Sequence, residues 1–197
     1  MKKMIKVTKF AILALLILSL PYIEKAMAQF NPSNLSRIRL LASNGGEYMP
    51  GLDATSSGSS ISYTLDTFGI GYTTSTVSTK DSSDLEEKLT SNALDISVMT
   101  GMDRFTFQAG YGWLLSHKWK HETKDTATNS SEGGGGFFNV GFQLGIFELV
   151  GGYRVWSVVY NVNKSWKRSN GSTTSSDEKG QLAYKEMYLG LGYIFWK

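Results

Sequence analysis

The chain ends in Lys185-Glu186-Met187-Tyr188-Leu189-Gly190-Leu191-Gly192-Tyr193-Ile194-Phe195, followed by Trp196 and Lys197. Every second side chain from Met187 to Phe195 is apolar or aromatic, whereas the alternate positions include Gly190 and Gly192. Because successive side chains of a β-strand point to opposite faces, this segment has one continuous apolar face. An apolar row that ends in aromatic residues is typical of a strand with one face in lipid. The segment therefore predicts a transmembrane strand.

The same two-residue period recurs in three internal segments. In 104–116, 137–146 and 92–102, apolar side chains alternate with small or polar ones. Each segment is roughly ten residues long, which is the length and pattern of a transmembrane barrel strand. Aromatic residues form 13% of the chain, and glycine is frequent at 21 residues against 3 prolines. This composition without a helical period favours antiparallel β structure.

Tight turns and long polar connections alternate along the chain. The tight turns are predicted at 100–103 and 147–148, and the long connections at 77–91, 120–136 and 167–180. Short turns at one rim and long loops at the other are typical of outer-membrane barrels, whose short turns face the periplasm. Within the first long connection, Ser83 and Glu86 have capping-box spacing, and a helical turn there is the alternative to an irregular loop.

The strands are predicted at 36–43, 56–65, 68–76, 92–102, 104–119, 137–147, 149–163 and 183–196. The segment 56–65 has the weakest pattern, and joining 61–76 into one strand would give an odd count. An even count places both termini at the periplasmic rim. The predicted fold is all-β: a single antiparallel up-and-down transmembrane β-barrel of eight strands. Aromatic side chains near strand ends are predicted to lie in belts at the two membrane interfaces, namely Trp113, Trp119, Trp166, Trp196, Tyr193 and Phe195.

On these patterns, residues 36–197 resemble the small eight-stranded bacterial outer-membrane barrels of the OmpA/OmpX/OmpW type. Gly190-x-x-Tyr193-x-Phe195 also resembles the C-terminal signal read by the barrel assembly machinery, although Leu189 replaces a usual polar residue and two residues follow Phe195. The resemblance implies a location in the outer membrane, with membrane lipid, lipopolysaccharide and the assembly machinery as partners. It leaves activity open, because pores, adhesins, lipid-modifying enzymes and structural anchors share this fold.

The first residues have the features of a secretory signal peptide. Lysines at the start precede an apolar run at 10–20, and Ala26-Met27-Ala28 provides a small-x-small cleavage site. The run is shorter than the ~20 residues of a membrane-spanning helix. We therefore predict cleavage after Ala28, leaving 29–197 as the barrel. The lysines of 1–28 account for the formal net charge of +3, which gives no support for a nucleic-acid partner. The chain contains no cysteine to form a disulfide.

Charged side chains on the inner face form the first candidate site. By alternation, Asp95, Arg104, Arg154 and Glu186 face the lumen, together with Arg37 and Arg39 on the first strand. A charge facing lipid at mid-depth costs ~2–4 kcal/mol, which favours the lumen. Unpaired buried charges are also costly, and these groups are expected to pair. The cluster is either an ion-pair plug that closes the lumen or a gate that selects ions.

Small and polar side chains form the second candidate site on the inner face. They are Gln108, Gly110, Gly112, Asn139, Gly141, Gln143, Gly190 and Gly192. One interpretation is a narrow pore or cavity along these rows. The other is that glycine lets the strands coil tightly while bulky inward groups, such as Trp156, Tyr188 and Leu114, fill the space. The orientation of Trp156 is open, because a β-bulge near Ser157 would reverse the faces of its strand.

No catalytic site is predicted. Ser116 and His117 are adjacent and point to opposite faces of a strand, which prevents a serine–histidine pair. His117 and His121 have a spacing that binds metal on a helix rather than on a strand, and neither a metal nor a cofactor is expected. We predict a closed barrel that presents polar extracellular loops in a structural or surface-interaction role. The alternative is a narrow channel or a conduit for a small hydrophobic ligand, and a more distant alternative is a lipid A-modifying enzyme.

Overall fold

The two-residue alternation of the sequence produces a closed ring of antiparallel strands. The computed structural model describes residues 35–45, 54–80, 85–102, 104–122, 125–168 and 171–196. The strands are β1 (Leu35–Asn44), β2 (Thr55–Leu65), β3 (Phe68–Lys80), β4 (Glu86–Met102), β5 (Phe105–His121), β6 (Asp125–Leu144), β7 (Phe147–Lys167) and β8 (Thr173–Trp196). Each strand pairs with the next in sequence, and β1 pairs with β8. The predicted all-β, eight-stranded, up-and-down barrel is confirmed. The signal peptide and its cleavage site lie outside the described residues.

One rim of the barrel carries the short turns and both ends of the described chain. Two residues join β2 to β3, β4 to β5, and β6 to β7 at this rim. Two of these turns contain a residue with positive φ, Asp66 at 52° and Gly145 at 65°, which the tight reversal requires. Leu35 at the start of β1 pairs with Trp196 at the end of β8. The turn predicted at Phe147-Glu148 lies two residues earlier, because β7 already begins at Phe147.

The strands extend well beyond the length that a bilayer requires. A membrane-spanning strand needs about 9–11 residues, whereas β6, β7 and β8 contain 20, 21 and 24 residues. The long loops predicted at 120–136 and 167–180 are therefore largely strand. The alternative of a helical turn from Ser83 to Glu86 is wrong at Glu86, because β4 begins at that residue. Ser83 itself lies outside the described residues.

The polarity of the wall inverts between its two halves. Near the turn rim, large apolar side chains such as Leu40, Ile70 and Leu189 are exposed on the outside, and polar groups fill the inside. Towards the other rim, the outward positions are polar, and the interior contains an apolar cluster. Its members are Val77, Leu89, Ala93, Trp119, Trp156, Val158, Val162, Leu182 and Tyr184. The barrel thus combines a half suited to lipid with a half suited to water.

A β-bulge in β5 sets the orientation of its upper half. Asn92 pairs with Ser116 and Ala93 with Leu114, which leaves Leu115 as the extra residue. Both Leu115 and Ser116 are consequently exposed, and His117 and Trp119 point inwards. The prediction that Trp119 lies in an interfacial belt is therefore wrong, because this side chain is 5% exposed in the interior.

Trp156 also points into the barrel, and its side chain is fully buried. The pairing of β7 with β8 is regular throughout, which contradicts the proposed bulge near Ser157. In β6 the register shifts between Thr128 and Ser130 instead. No helix among the described residues is long and apolar enough to cross a membrane.

Candidate functional site: the interior of the barrel

The charged layer of the interior that lies nearest the turn rim is centred on the Glu148 carboxylate. Arg39 binds it with two hydrogen bonds, from Nε at 2.8 Å and from Nη2 at 2.9 Å. Arg37 approaches the same carboxylate through Nη1 at 3.4 Å, and the Thr106 hydroxyl donates a further hydrogen bond to it. Arg39 and Glu148 are completely buried. A bidentate arginine is the strongest partner for a buried carboxylate, and this group is fully satisfied.

This ion pair continues into a network of side-chain amides that crosses the lumen. Arg39 Nη1 donates to Gln108 Oε1 at 2.6 Å, and Asn139 Nδ2 donates to the same oxygen at 3.0 Å. Gln108 Nε2 in turn donates to Ser97 Oγ at 2.9 Å. These hydrogen bonds connect β1, β4, β5, β6 and β7. They fix side chains from opposite walls in one layer, which obstructs the lumen at this level.

A second ion pair lies in the next layer. Arg154 donates from Nη1 and Nη2 to the two oxygens of Asp95, at 3.0 and 2.6 Å, and the Thr73 hydroxyl donates to Asp95 Oδ2 at 2.6 Å. The Arg154 guanidinium also lies over the rings of Phe137 at 4.5 Å and Trp156 at 4.9 Å. Aromatic faces stabilise a desolvated guanidinium, and the surrounding rings therefore support the charge as well as filling space.

The Glu186 carboxylate is held by neutral donors in the same layer. It accepts hydrogen bonds from Ser75 Oγ at 2.6 Å, Trp156 Nε1 at 2.7 Å and Tyr188 Oη at 2.6 Å. Glu186 is completely buried. Three hydrogen bonds satisfy the acceptor oxygens of this buried carboxylate. Trp156 and Tyr188 thus fill the lumen and also donate to its charged groups.

The structure brings together most of the charged residues predicted for the lumen. Asp95, Arg154 and Glu186 lie inside the barrel with Arg37 and Arg39. Arg104 does not, because β5 begins only at Phe105, and Arg104 is exposed in the turn before it. Its inclusion in the lumen cluster was wrong. The residue that the sequence analysis missed is Glu148, which had been assigned to a turn.

The predicted glycine rows accommodate the ion pairs. A Cβ at Gly112 would meet Asp95 Oδ1, and one at Gly192 would lie 2.7 Å from Glu148 Oε2. A Cβ at Gly141 would meet both the Glu148 carboxylate and the Thr106 hydroxyl. The space opposite these three glycines is therefore occupied by charged and polar side chains. Glycine at these positions supplies the room that a salt-bridged network needs in a narrow barrel.

The other predicted lining residues differ in position. Gly110 and Gly190 lie against neighbouring strands, where a Cβ would meet the carbonyl oxygens of Ile96 and Leu40 respectively. Gln108 and Asn139 are buried in the first layer. Gln143 is only half-buried, and its Nε2 donates to the carbonyl oxygen of Gly145 at 3.1 Å. Gln143 thus stabilises a turn at the rim and is not part of a continuous pore lining.

An apolar layer and a further ion pair lie above the charged layers. Trp156 stacks on Tyr184 with ring centroids 5.7 Å apart, and Trp119 contacts Tyr160 at 4.7 Å. At the outer end, Lys164 Nζ binds Glu87 Oε1 at 2.7 Å. From the turn rim outwards, the interior therefore contains two charged layers, then an apolar layer, and then a further ion pair.

The residues considered for catalysis or metal binding are separated by the wall. Ser116 is exposed on the outside, whereas His117 is buried inside. His121 Nε2 lies 3.5 Å from Glu87 Oε1, within the outer ion-pair layer. Across the described ranges, no cluster of three or more histidine, aspartate or glutamate side chains could hold a metal ion.

The C-terminal residues compared with the assembly signal lie at the turn rim. Tyr193 is exposed on the apolar exterior, and Phe195 is half-buried beside it. Phe195 stacks with Tyr63 and with Tyr193, in both cases at 6.1 Å between ring centroids. Recognition of Gly190, Tyr193 and Phe195 by the assembly machinery stays a prediction.

A closed ring of eight antiparallel strands, with an apolar exterior and a lumen filled by ion pairs, has the fold of the small outer-membrane β-barrels. Solved structures of this class resemble it. Neisserial surface protein A has a TM-score of 0.51 at 14% identity, covering 83% of this chain and 98% of that protein. A major outer membrane protein from Thermus thermophilus has a TM-score of 0.51 at 13% identity, covering 81% of this chain and 99% of that protein. No protein-family model and no curated protein matches the sequence.

Proposed function

We propose that the chain is an integral outer-membrane protein whose barrel is closed and whose solvent-exposed half presents a surface for interactions. The observation that carries this proposal is the pair of buried ion clusters, Arg39 with Glu148 and Arg154 with Asp95. Arg39 on β1 also donates to Gln108 and Thr106 on β5, and Arg154 on β7 binds Asp95 on β4, so each of two successive layers reaches across the lumen. A permeating solute would have to separate both.

The energetics of buried ion pairs support a closed lumen. Separating a buried pair without a replacement partner costs about 3–5 kcal/mol. Since ~1.4 kcal/mol corresponds to a factor of ten in an equilibrium constant, an opened layer would be populated at about one per cent or less. The apolar cluster around Trp156 adds a further barrier to ions above these layers.

The extended strands support a role at the surface. Beyond the apolar band, they keep their ladder pairing and are filled by apolar side chains, which gives the outer half a core of its own. An open pocket of about 760 Å³ lies at the outer rim, lined by residues that include Thr55, Ser78, Lys80, Glu86 and Glu122. A rigid, polar projection with a recess of this kind is suited to contact with other molecules outside the cell.

We expect the refolded mature protein, residues 29–197, to give no discrete conductance steps in a planar bilayer, because the ion-pair layers obstruct the lumen. Insertion is verified by the shifted gel mobility of the folded barrel before and after heating. Reproducible steps from the wild-type protein would contradict the closed barrel and favour the narrow-channel alternative.

We also expect the full-length chain, expressed in a Gram-negative host, to fractionate with the outer membrane and to begin at Gln29. Sequencing of the N-terminus of the purified protein checks the cleavage site. Recovery from the inner membrane or the soluble fraction would contradict the proposed location.

The proposal includes no catalytic activity. Expression of the protein should leave the mass spectrum of lipid A unchanged, because Ser116 and His117 lie on opposite sides of the wall. A new lipid A species that disappears in His117→Ala would show instead that the barrel modifies lipid.

A further inference from the structure

His117 is a buried side chain in the outer half of the barrel. It points inwards from β5 and is 6% exposed, yet neither Nδ1 nor Nε2 reaches a hydrogen-bond partner among the described residues. It lies beyond the apolar band, since Leu115 is the last large apolar side chain that β5 directs outwards, and the exposed Lys118 follows His117. We propose that this histidine makes the outer half a pH-sensitive element, which opens locally when the imidazole is protonated.

The inward surroundings of the imidazole on β4 and β5 are apolar. In the ladder, His117 pairs with Ser91 of β4, whose buried hydroxyl also has no partner in the part of the chain that the structure describes. The inward neighbours of this pair along the two strands belong to the apolar cluster or pack against it, namely Leu89, Ala93, Leu114 and Trp119. Because nothing here replaces the water that an imidazolium would lose, the buried histidine is stable only in its neutral form.

The buried carboxylates of the neighbouring strands are already bound by other groups. On β4, Glu87 and Asp95 lie four residues to either side of Ser91, which is roughly 13 Å along the strand at ~3.3 Å per residue. Both form ion pairs with cations of β7. On β8, Glu186 accepts three hydrogen bonds from neutral donors. Protonated His117 would therefore have to compete for a carboxylate that is already satisfied.

The other charged groups around this level are cations or point away from the interior. Arg154 and Lys164 extend inwards from β7, and His121 lies further out on β5. Glu132 of β6 is exposed on the outside of the wall. Above Arg39, the inward side chains described on β1, β2 and β3 carry no charge. The described surroundings thus oppose a positive charge on His117 instead of supporting it.

Acid therefore favours an opened form of the outer half. Burial lowers the pKa of His117 below its ordinary value of 6.5. In the opened form the imidazole regains water, and its pKa returns towards that value. As the pH falls below about 6.5, the opened form binds a proton that the closed form does not yet bind, and opening becomes up to about tenfold more favourable per pH unit. At higher pH the histidine is neutral in both forms, and the closed form keeps its full stability.

The opening is expected to be confined to the outer half. His117 and His121 are the two histidines of the chain, and both lie on the outer part of β5. Histidine is the side chain whose ordinary pKa lies between about pH 5 and pH 8. The half near the turn rim contains no histidine, and mild acid should leave its ion-pair layers closed.

The opening can be measured with single introduced thiols, because the chain contains no cysteine. Leu89→Cys places a thiol in the buried cluster, and Ser116→Cys places one on the exposed outside, next to His117. The ratio of their alkylation rates by iodoacetamide, in refolded mature protein, reports the opened fraction, since the pH dependence of thiolate formation affects both rates. We expect this ratio to rise about tenfold between pH 7.5 and pH 5.

Two histidine variants assign the effect. In a His117→Leu background the ratio should not change with pH, because leucine fills a similar volume and does not titrate. His121→Gln is the matched control, since it removes the other inward histidine of β5 and should preserve the rise. A third thiol, Ser62→Cys, is buried in the half near the turn rim and should stay unreactive at pH 5. It distinguishes local opening from unfolding of the whole barrel.

Four results would overturn the proposal. They are a ratio that does not change with pH, an equal rise in His117→Leu, loss of the rise in His121→Gln, and reaction of Ser62→Cys as fast as Leu89→Cys. None of these results involves conductance or a surface partner, so they leave the proposed function untouched.

A second measurement needs no cysteine and applies even where Leu89→Cys does not refold. The thermal midpoint of unfolding of the wild-type protein should fall between pH 7.5 and pH 5 by more than that of His117→Leu, because only the wild-type protein must bury or protonate this imidazole. Equal falls in the two proteins would contradict the role of His117.

Discussion

Replacement of Glu148 by alanine is expected to lower the free energy of unfolding of the refolded barrel by about 3–5 kcal/mol, the cost of leaving a buried charge without its partner. Glu148 accepts two hydrogen bonds from Arg39 and is contacted by Arg37 at 3.4 Å. Without the carboxylate, two guanidinium groups of the same charge would share one layer of the lumen. Urea-induced unfolding in lipid vesicles measures the change.

The matched control is Glu86→Ala, which removes a carboxylate that is half exposed in its salt bridge with Lys88. This substitution should change the stability by no more than about 0.5 kcal/mol. If Glu148→Ala fails to refold, Glu148→Gln keeps the shape and part of the hydrogen bonding, and should give a folded barrel with an intermediate loss. Equal unfolding curves for Glu148→Ala and Glu86→Ala would show that the ion cluster contributes nothing to the barrel.

Alternation predicted most of the architecture in the lipid-facing half. An apolar row on one face, as in Met187 to Phe195, occurs in segments of about the length of a bilayer span. The count of eight also needed the requirement for an even number of strands, because the pattern of 56–65 is weak. The turn at Asp66 was also predictable, since it belongs to a connection that is too short for anything except a tight reversal, whereas the turn at Gly145 was predicted two residues too late.

Part of the outer half was mistaken for loops because its pattern is inverted. There, outward residues such as Lys88 and Lys120 are polar, and the apolar side chains Val77 and Leu89 lie inside. A search for apolar outward rows treats such a segment as irregular. Polar and apolar residues still alternate there, but the apolar side chains face the interior instead of the outside. This reversal can be recognised only when the strand is already known to extend beyond the membrane.

For the candidate site, the sequence predicted which charged residues face the interior, but not which of them pair with each other. Alternation correctly indicated that Asp95, Arg154 and Glu186 share the interior. It could not indicate that Arg154 binds Asp95 at 2.6 Å instead of Glu186, its direct neighbour across the β7–β8 ladder. The choice depends on the reach of each side chain across the lumen, where Trp156 and Tyr188 already donate to Glu186.

Two errors in the site have the same physical origin. Alternation fixes which residues share a face, but it does not fix where a strand begins. Arg104 was placed inside by extending β5 one residue too far, and Glu148 was missed because β7 was started two residues too late. In a narrow barrel, the residues at strand ends determine whether a charge lies in the lumen or in water. One or two residues of uncertainty therefore altered the predicted charge balance of the interior.

Gly141→Ala is expected to destabilise the barrel by about 1–3 kcal/mol, the usual cost of inserting atoms into a filled interior. The new methyl group would meet the Glu148 carboxylate and the Thr106 hydroxyl, and it would disturb the layer that contains Arg39. The matched control is Gly136→Ala on the same strand, where a Cβ has no neighbour within 4 Å and the position is exposed. The control should be neutral or slightly stabilising, because alanine has less backbone freedom to lose than glycine.

The same pair of variants distinguishes a filled lumen from a conduit. If Gly141 lined an open passage, a single methyl group would find empty space, and it would reduce flux without altering the unfolding curve. If the ion cluster occupies that space, the substitution acts on stability first, and the wild-type protein has no flux to reduce. Unfolding in urea, measured beside bilayer conductance on the same preparations, therefore tests the packing and the closed state together. Equal stability of the two alanine variants would contradict the filled lumen at this layer.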